Sequence, residues 1–81
     1  MRLDKYLKVS RLIKRRTIAN EACDAGRVLV NGKAARASYD VKEQDVLEIQ
    51  MGAHPIKVRV LTVAEHVMKA EASQMYEVLP T

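Results

Sequence analysis

Cations recur at every third position along the first stretch of the chain, at Arg2, Lys5, Lys8, Arg11 and Lys14, and this spacing limits how the segment can fold. On a continuous α-helix each three-residue step drifts by about 60°, so these charges would wind most of the way round the cylinder. A single basic face requires a break. Val9-Ser10 is the natural place, because a β-branched residue is followed there by a side chain able to cap a new helix. The spacing therefore predicts a short first helix over 2–8, with Leu3, Tyr6 and Leu7 along its apolar stripe. Leu12 and Ile13 then turn inward, leaving Lys14, Arg15 and Arg16 at the start of a second helix over about 17–25. Thr17 is its expected cap, Ile18, Ala19, Ala22 and Cys23 its apolar face, and Gly26 the left-handed residue that closes it.

The charge is unevenly spread. Residues 1–36 hold ten Lys and Arg against three acids, a net of +7, whereas residues 37–81 hold four against seven, a net of −3. Such crowding is costly in self-repulsion unless an anion faces it, and nucleic acid is the default partner for a compact basic face. Arg16 sits just before the N-terminus of that second helix, where free backbone N–H groups and a planar guanidinium can hold a phosphate together. Tyr6, Tyr39 and Tyr76 are the whole aromatic complement, and the spacing assigns Tyr6 to the core. Base stacking is therefore limited, and recognition is expected to run through phosphates and the shape of folded RNA.

Beyond Gly26 the pattern changes to strands. Residues 27–30 read as a short strand, Asn31-Gly32 as a hairpin turn, 46–51 as a second strand and 52–55 as a turn. Ile56, Val58 and Val60 alternate with Lys57 and Arg59, which predicts a half-buried strand. Residues 34–45 have no clean period. Residues 65–72 have helix-forming composition without a strong apolar stripe, and 75–79 are expected to return onto the sheet. The fold class is α+β, two N-terminal helices on a small, mainly antiparallel sheet with a short C-terminal helix, in one domain over 1–81.

Composition narrows the classes further. No apolar run approaches the roughly 18 residues needed to span a bilayer, the N-terminal charges leave no signal-like apolar region, and one cysteine suits a reducing compartment. A cytoplasmic monomer is expected. Cys23 reads as an inert packed thiol, and His54 and His66 are too isolated for a metal site, so no cofactor or metal is assigned. No catalytic constellation stands out, and 81 residues leave little room for a closed pocket. A helix-turn-helix DNA-binding regulator is the rival reading from another class, but the turn lacks its usual glycine and the strands are superfluous to major-groove docking. An acidic lipid surface would want an exposed apolar edge to insert.

RLDKYL at 2–7, Arg16 with Ala19, then Gly26, Val28, Val30-Asn31-Gly32, and Val41 through Asp45 with Ile49 form an ordered series. Together they resemble the small RNA-binding domain named after ribosomal small-subunit protein four, the αL motif, over about residues 1–50. The block RLDKYLKVSRLIKRRT at 2–17 is similar to the RqcP-like group of ribosome-associated quality-control factors, relatives of the fifteen-kilodalton heat-shock protein. The resemblance implies two helices on a small sheet, with the helical face and adjoining loop binding structured RNA. It implies docking on large ribosomal subunits obstructed by peptidyl-tRNA, with contact to large-subunit rRNA and to the tRNA. It also implies help to an RqcH-like factor that adds C-terminal alanine tails to stalled chains; a ribosome-assembly or heat-shock-type rRNA-binding role is the alternative. The expected RNA-binding residues are Arg2, Lys5, Lys8, Arg11, Lys14, Arg15, Arg16, Lys33 and Arg36. Arg16 is the central phosphate clamp, flanked by Arg2 and Lys5 one turn apart, and Asp4 is expected to orient a neighbouring cation or to meet its own helix start. The sequence departs from the family pattern twice. Arg15 stands where serine is common, and Gln44 stands where glycine usually precedes Asp45, so a different turn geometry is expected there.

Overall fold

Arg11 ends the first helix by turning left-handed (φ +64°), which swings the chain off the helix axis. The computed structural model describes residues 1–80, with α1 at Leu3–Val9 and α2 at Arg16–Asp24. Ser10 serves the end of α1 and does not cap α2: its hydroxyl donates to the Leu7 carbonyl at 3.3 Å. Thr17 does not cap α2 either. The helix starts one residue earlier than expected, with extended Arg15 at the cap position and no side chain satisfying the first turn. The reason lies on α1: Arg16 and Asn20, four residues apart, both reach Asp4, and that requires Arg16 to be helical already. At the other end Gly26 (φ +78°) closes α2 as expected, its N–H bonding Cys23 and the N–H of Arg27 bonding Ala22.

The strands are β1 (Val28–Val30), β2 (Lys33–Ala34), β3 (Val46–Ile49), β4 (Ile56–Val60) and β5 (Tyr76–Leu79), with α3 (Lys69–Ala72) before the last. They form one antiparallel sheet in the order β2-β1-β3-β4-β5. Asn31 (φ +51°) and Gly32 (φ +86°) are both left-handed, the geometry of the hairpin turn their sequence predicts. Of residues 65–72, only the last four are helical; Met68 is extended, and Glu65 is drawn towards Lys5 of α1.

The aperiodic run 34–45 has a definite task. The carbonyls of Tyr39 and Ala37 accept the N–H groups of Leu3 (2.8 Å) and Asp4 (3.2 Å), so this segment caps α1 with backbone. A segment that presents carbonyls to a helix end has no regular face to bury, hence no period.

Leu3, Tyr6 and Leu7 of α1 join Ala19, Ala22 and Cys23 of α2 over Val28, Val30, Leu47, Ile49, Val58 and Val60 of the sheet. On the outer sheet face Glu48 lies opposite Lys57 and Arg59 opposite Glu77; Val58 and Val60 are buried as expected, but Ile56, at the start of β4, is exposed. Tyr6 is wholly buried, and its hydroxyl donates to the Met75 carbonyl at 2.8 Å, tying the first helix to the last turn before β5. No helix among the described residues is long and apolar enough to cross a membrane.

Candidate nucleic-acid interface

The two helix starts differ in what they leave free. On α1 the first amides are taken by Tyr39, Ala37 and, for Lys5, by the carboxylate of Asp4 at 2.8 Å. On α2 no side chain caps the first turn and no acid lies within it, so its positive end faces solvent.

Asp4 is the hub between them. Its carboxylate is nearly fully buried, at 3% exposure, against 50% for Arg2 and 48% for Arg16. Arg2 Nε donates to it at 3.1 Å, Asn20 Nδ2 at 3.1 Å, and the Arg16 guanidinium approaches to 3.4 Å. Both arginines therefore have one edge fixed by a buried anion and the rest of the guanidinium in solvent. This presents two oriented cations beside the open start of α2, where a phosphate could accept from guanidinium and backbone N–H groups together.

The protonation of Asp4 follows from these contacts. Burial by itself would raise its pKa, but hydrogen bonds from Arg2, Asn20 and Arg16 outweigh it and hold the carboxyl at about 2. A pKa below the ordinary value of 3.8 means stability that is present above about pH 4 and is lost as the pH falls towards 2. The ionised form contributes about 2 kcal/mol at neutral pH. Asp4→Asn should remove this component: in urea titrations, the stability gap between wild type and variant is expected to shrink steadily from about pH 5 to about pH 2. A gap that stays constant over that range would show that Asp4 does not titrate with folding.

The remaining predicted residues fall into groups. Lys5 is turned from the hub, and its ammonium lies 3.4 Å from Glu65. Lys8 and Arg11 border a groove whose far side is Glu65 to Met68. Lys14 and Arg15 are exposed on the connector into α2. Lys33 and Arg36 line a separate groove beside the hairpin, with Asn31, Ser38 and Tyr39. Arg2 and Arg16 thus converge on one point, whereas Lys5 does not join them. In the sequence nothing marks Asn20 except its position four residues after Arg16, which places it on the same helix face.

Cys23 is buried at 2% exposure, and burial, with Asp4 and Asp24 nearby, pushes its thiol up to about 11. It is a packing residue. Among the described residues no group of three or more His, Cys, Asp or Glu side chains is placed to hold a metal ion.

A family model described as the S4 domain matches residues 1–47, more than half of the chain. The chain belongs to the S4 domain family. This S4 protein is 56% identical over 78 residues to the RQC P-site tRNA stabilizing factor of Halalkalibacterium halodurans, covering 96% of this chain and 89% of that protein. It is 51% identical over 79 residues to the RQC P-site tRNA stabilizing factor of Bacillus subtilis, covering 98% and 92%. Its backbone matches the trimeric structure of Vibrio cholerae heat shock protein 15 with a TM-score of 0.91 at 26% identity, covering 98% of this chain and 81% of that one. The matched S4 segment contains the Asp4 hub and the hairpin groove, but β4, α3 and β5 lie beyond it. Within the S4 segment, Gln44 takes φ +75°, so the turn keeps the left-handed backbone that a glycine would adopt, contrary to the changed geometry expected. The cost of a side chain there is about 1–2 kcal/mol.

Proposed function

We propose that this S4 protein is a non-catalytic RNA-binding factor of the cytoplasm that docks on large ribosomal subunits obstructed by peptidyl-tRNA. There it contacts large-subunit rRNA and the tRNA, and assists an RqcH-like factor in adding C-terminal alanine tails to stalled chains. The observation that carries the reading is the convergence of Arg2 and Arg16 on the buried Asp4 carboxylate, beside an uncapped helix start. Arg16 clamps a phosphate, Arg2 holds the same or the next one, and Lys8, Arg11, Lys14 and Arg15 extend the surface along α1 and the connector. Lys33 and Arg36 contribute from the hairpin side, and Lys5 adds charge that it shares with Glu65. The relatives named RQC P-site tRNA stabilizing factor support the assignment to quality control and to tRNA.

The likeness to heat shock protein 15 supports a second reading, a ribosome-assembly or heat-shock-type rRNA-binding factor. Sedimentation of tagged protein with large subunits, separated by whether they carry peptidyl-tRNA, distinguishes the two. Enrichment on peptidyl-tRNA-bearing subunits is the expected result. Enrichment on empty precursors would favour assembly, and preference for duplex DNA over structured rRNA in competition would remove both.

A further inference from the structure

We propose that the groove between the β1–β2 hairpin and residues 35–39 is a pocket for one unpaired nucleotide of the bound RNA, with Tyr39 as platform for the base and Lys33 and Arg36 as clamps for its phosphate. The proposal rests on the RNA-binding reading above and adds to it a base site that the phosphate contacts do not need.

The groove measures about 590 Å³, within the range of a small-ligand site and too small for a duplex. Its lining includes two exposed cations, Lys33 and Arg36, and no acid. Neither cation is paired with an acid among the described residues, unlike Arg2, Lys5, Arg16 and Arg59. An anion is therefore the ligand these walls favour.

Tyr39 is half-buried, and its hydroxyl donates to Asp45 at 2.9 Å. With the hydroxyl committed, what Tyr39 offers the groove is its ring, held in one orientation before any ligand arrives. Asp45 does not oppose a phosphate there, because its carboxylate is buried and also receives Asn31 Nδ2 (3.1 Å) and the Lys42 amide (3.0 Å). Both sides of the groove are fixed in this way, one by the hairpin turn and the other by the bond from the Leu3 amide to the Tyr39 carbonyl. That second bond also sets the Tyr39 backbone beside the start of α1, at the residue after Arg2. The Asn31 side chain is used up by Asp45 and Val46, which leaves little to read base edges. The site should accept an unpaired base of any kind, by stacking.

A bulged nucleotide suits such a site because it has already lost part of its own stacking. The test uses a short RNA hairpin with one bulged 2-aminopurine in its stem and the same hairpin fully paired, both titrated with the full chain at fixed salt. Wild type is expected to prefer the bulged hairpin by roughly 5- to 100-fold and to change its fluorescence on binding. Tyr39→Phe should retain the preference, whereas Tyr39→Leu and the Lys33→Ala, Arg36→Ala pair should bring it close to onefold. Equal wild-type affinity for the two hairpins, with unchanged fluorescence, overturns the base site and leaves the RNA-binding reading intact. Failure of wild type to bind either hairpin overturns both. If Tyr39→Leu does not fold, the wild-type fluorescence and the exposed double variant still decide the matter.

Discussion

Tyr6→Ala should leave most of the chain unfolded at room temperature. The side chain has no exposed surface, and truncating a buried aromatic costs about 3–5 kcal/mol. A domain of this size has only a few kcal/mol in hand. Tyr6→Phe separates ring from hydroxyl. It gives up the bond to Met75, but that carbonyl also accepts the amides of Leu61 (2.8 Å) and Thr62 (3.2 Å), so nothing buried is left without a partner. A loss of about 1 kcal/mol is expected for the phenylalanine variant. Circular dichroism against urea reads both, and an alanine variant with a near wild-type midpoint would show that the contact between α1 and the C-terminal segment is dispensable.

The second large effect concerns binding. Arg2→Ala combined with Arg16→Ala should lower affinity for structured RNA by at least about 100-fold, since each removes charged hydrogen bonds worth about 1.5–3 kcal/mol. The plot of log affinity against log salt should become less steep by about 1.4–1.8, corresponding to two phosphates. Asp4 keeps Asn20 and the Lys5 amide as donors, so the double variant should fold, with a stability loss of about 1–2 kcal/mol. An unchanged salt slope would take both arginines out of the interface. Equal losses on RNA and on duplex DNA would point to a general basic surface instead of a shaped one.

What the chain discloses before folding depends on how local the cause is. Asn31-Gly32, Gly26 and the alternation over 57–60 are decided within a few residues, and the structure has them where the sequence places them, whereas Ile56, expected inward, is exposed at the end of its strand. Thr17 looks like a cap because capping is local, but the start of α2 is set by Asp4, twelve residues before Arg16. The basic spacing shows that α1 and α2 must be separate helices; it does not show that a buried acid gathers two of their cations. Lys5 has the same local credentials as Arg2, yet it faces Glu65, sixty residues away, and nothing near it announces that pairing. Residues 65–68 have helical composition but are not helical, because Glu65 is drawn to Lys5 and Val63 and Val67 pack against the core.

The bond between Tyr6 and Met75 joins residues 69 positions apart and bears on how the chain is made. Translation proceeds at about 5–20 residues per second, so the first helix emerges several seconds before the carbonyl that its phenol will meet. During that interval Leu3, Tyr6 and Leu7 lack their final cover. A nascent copy thus cannot close its core until Met75 has left the tunnel, which makes any pause before that point the time of greatest exposure to chaperones and proteases.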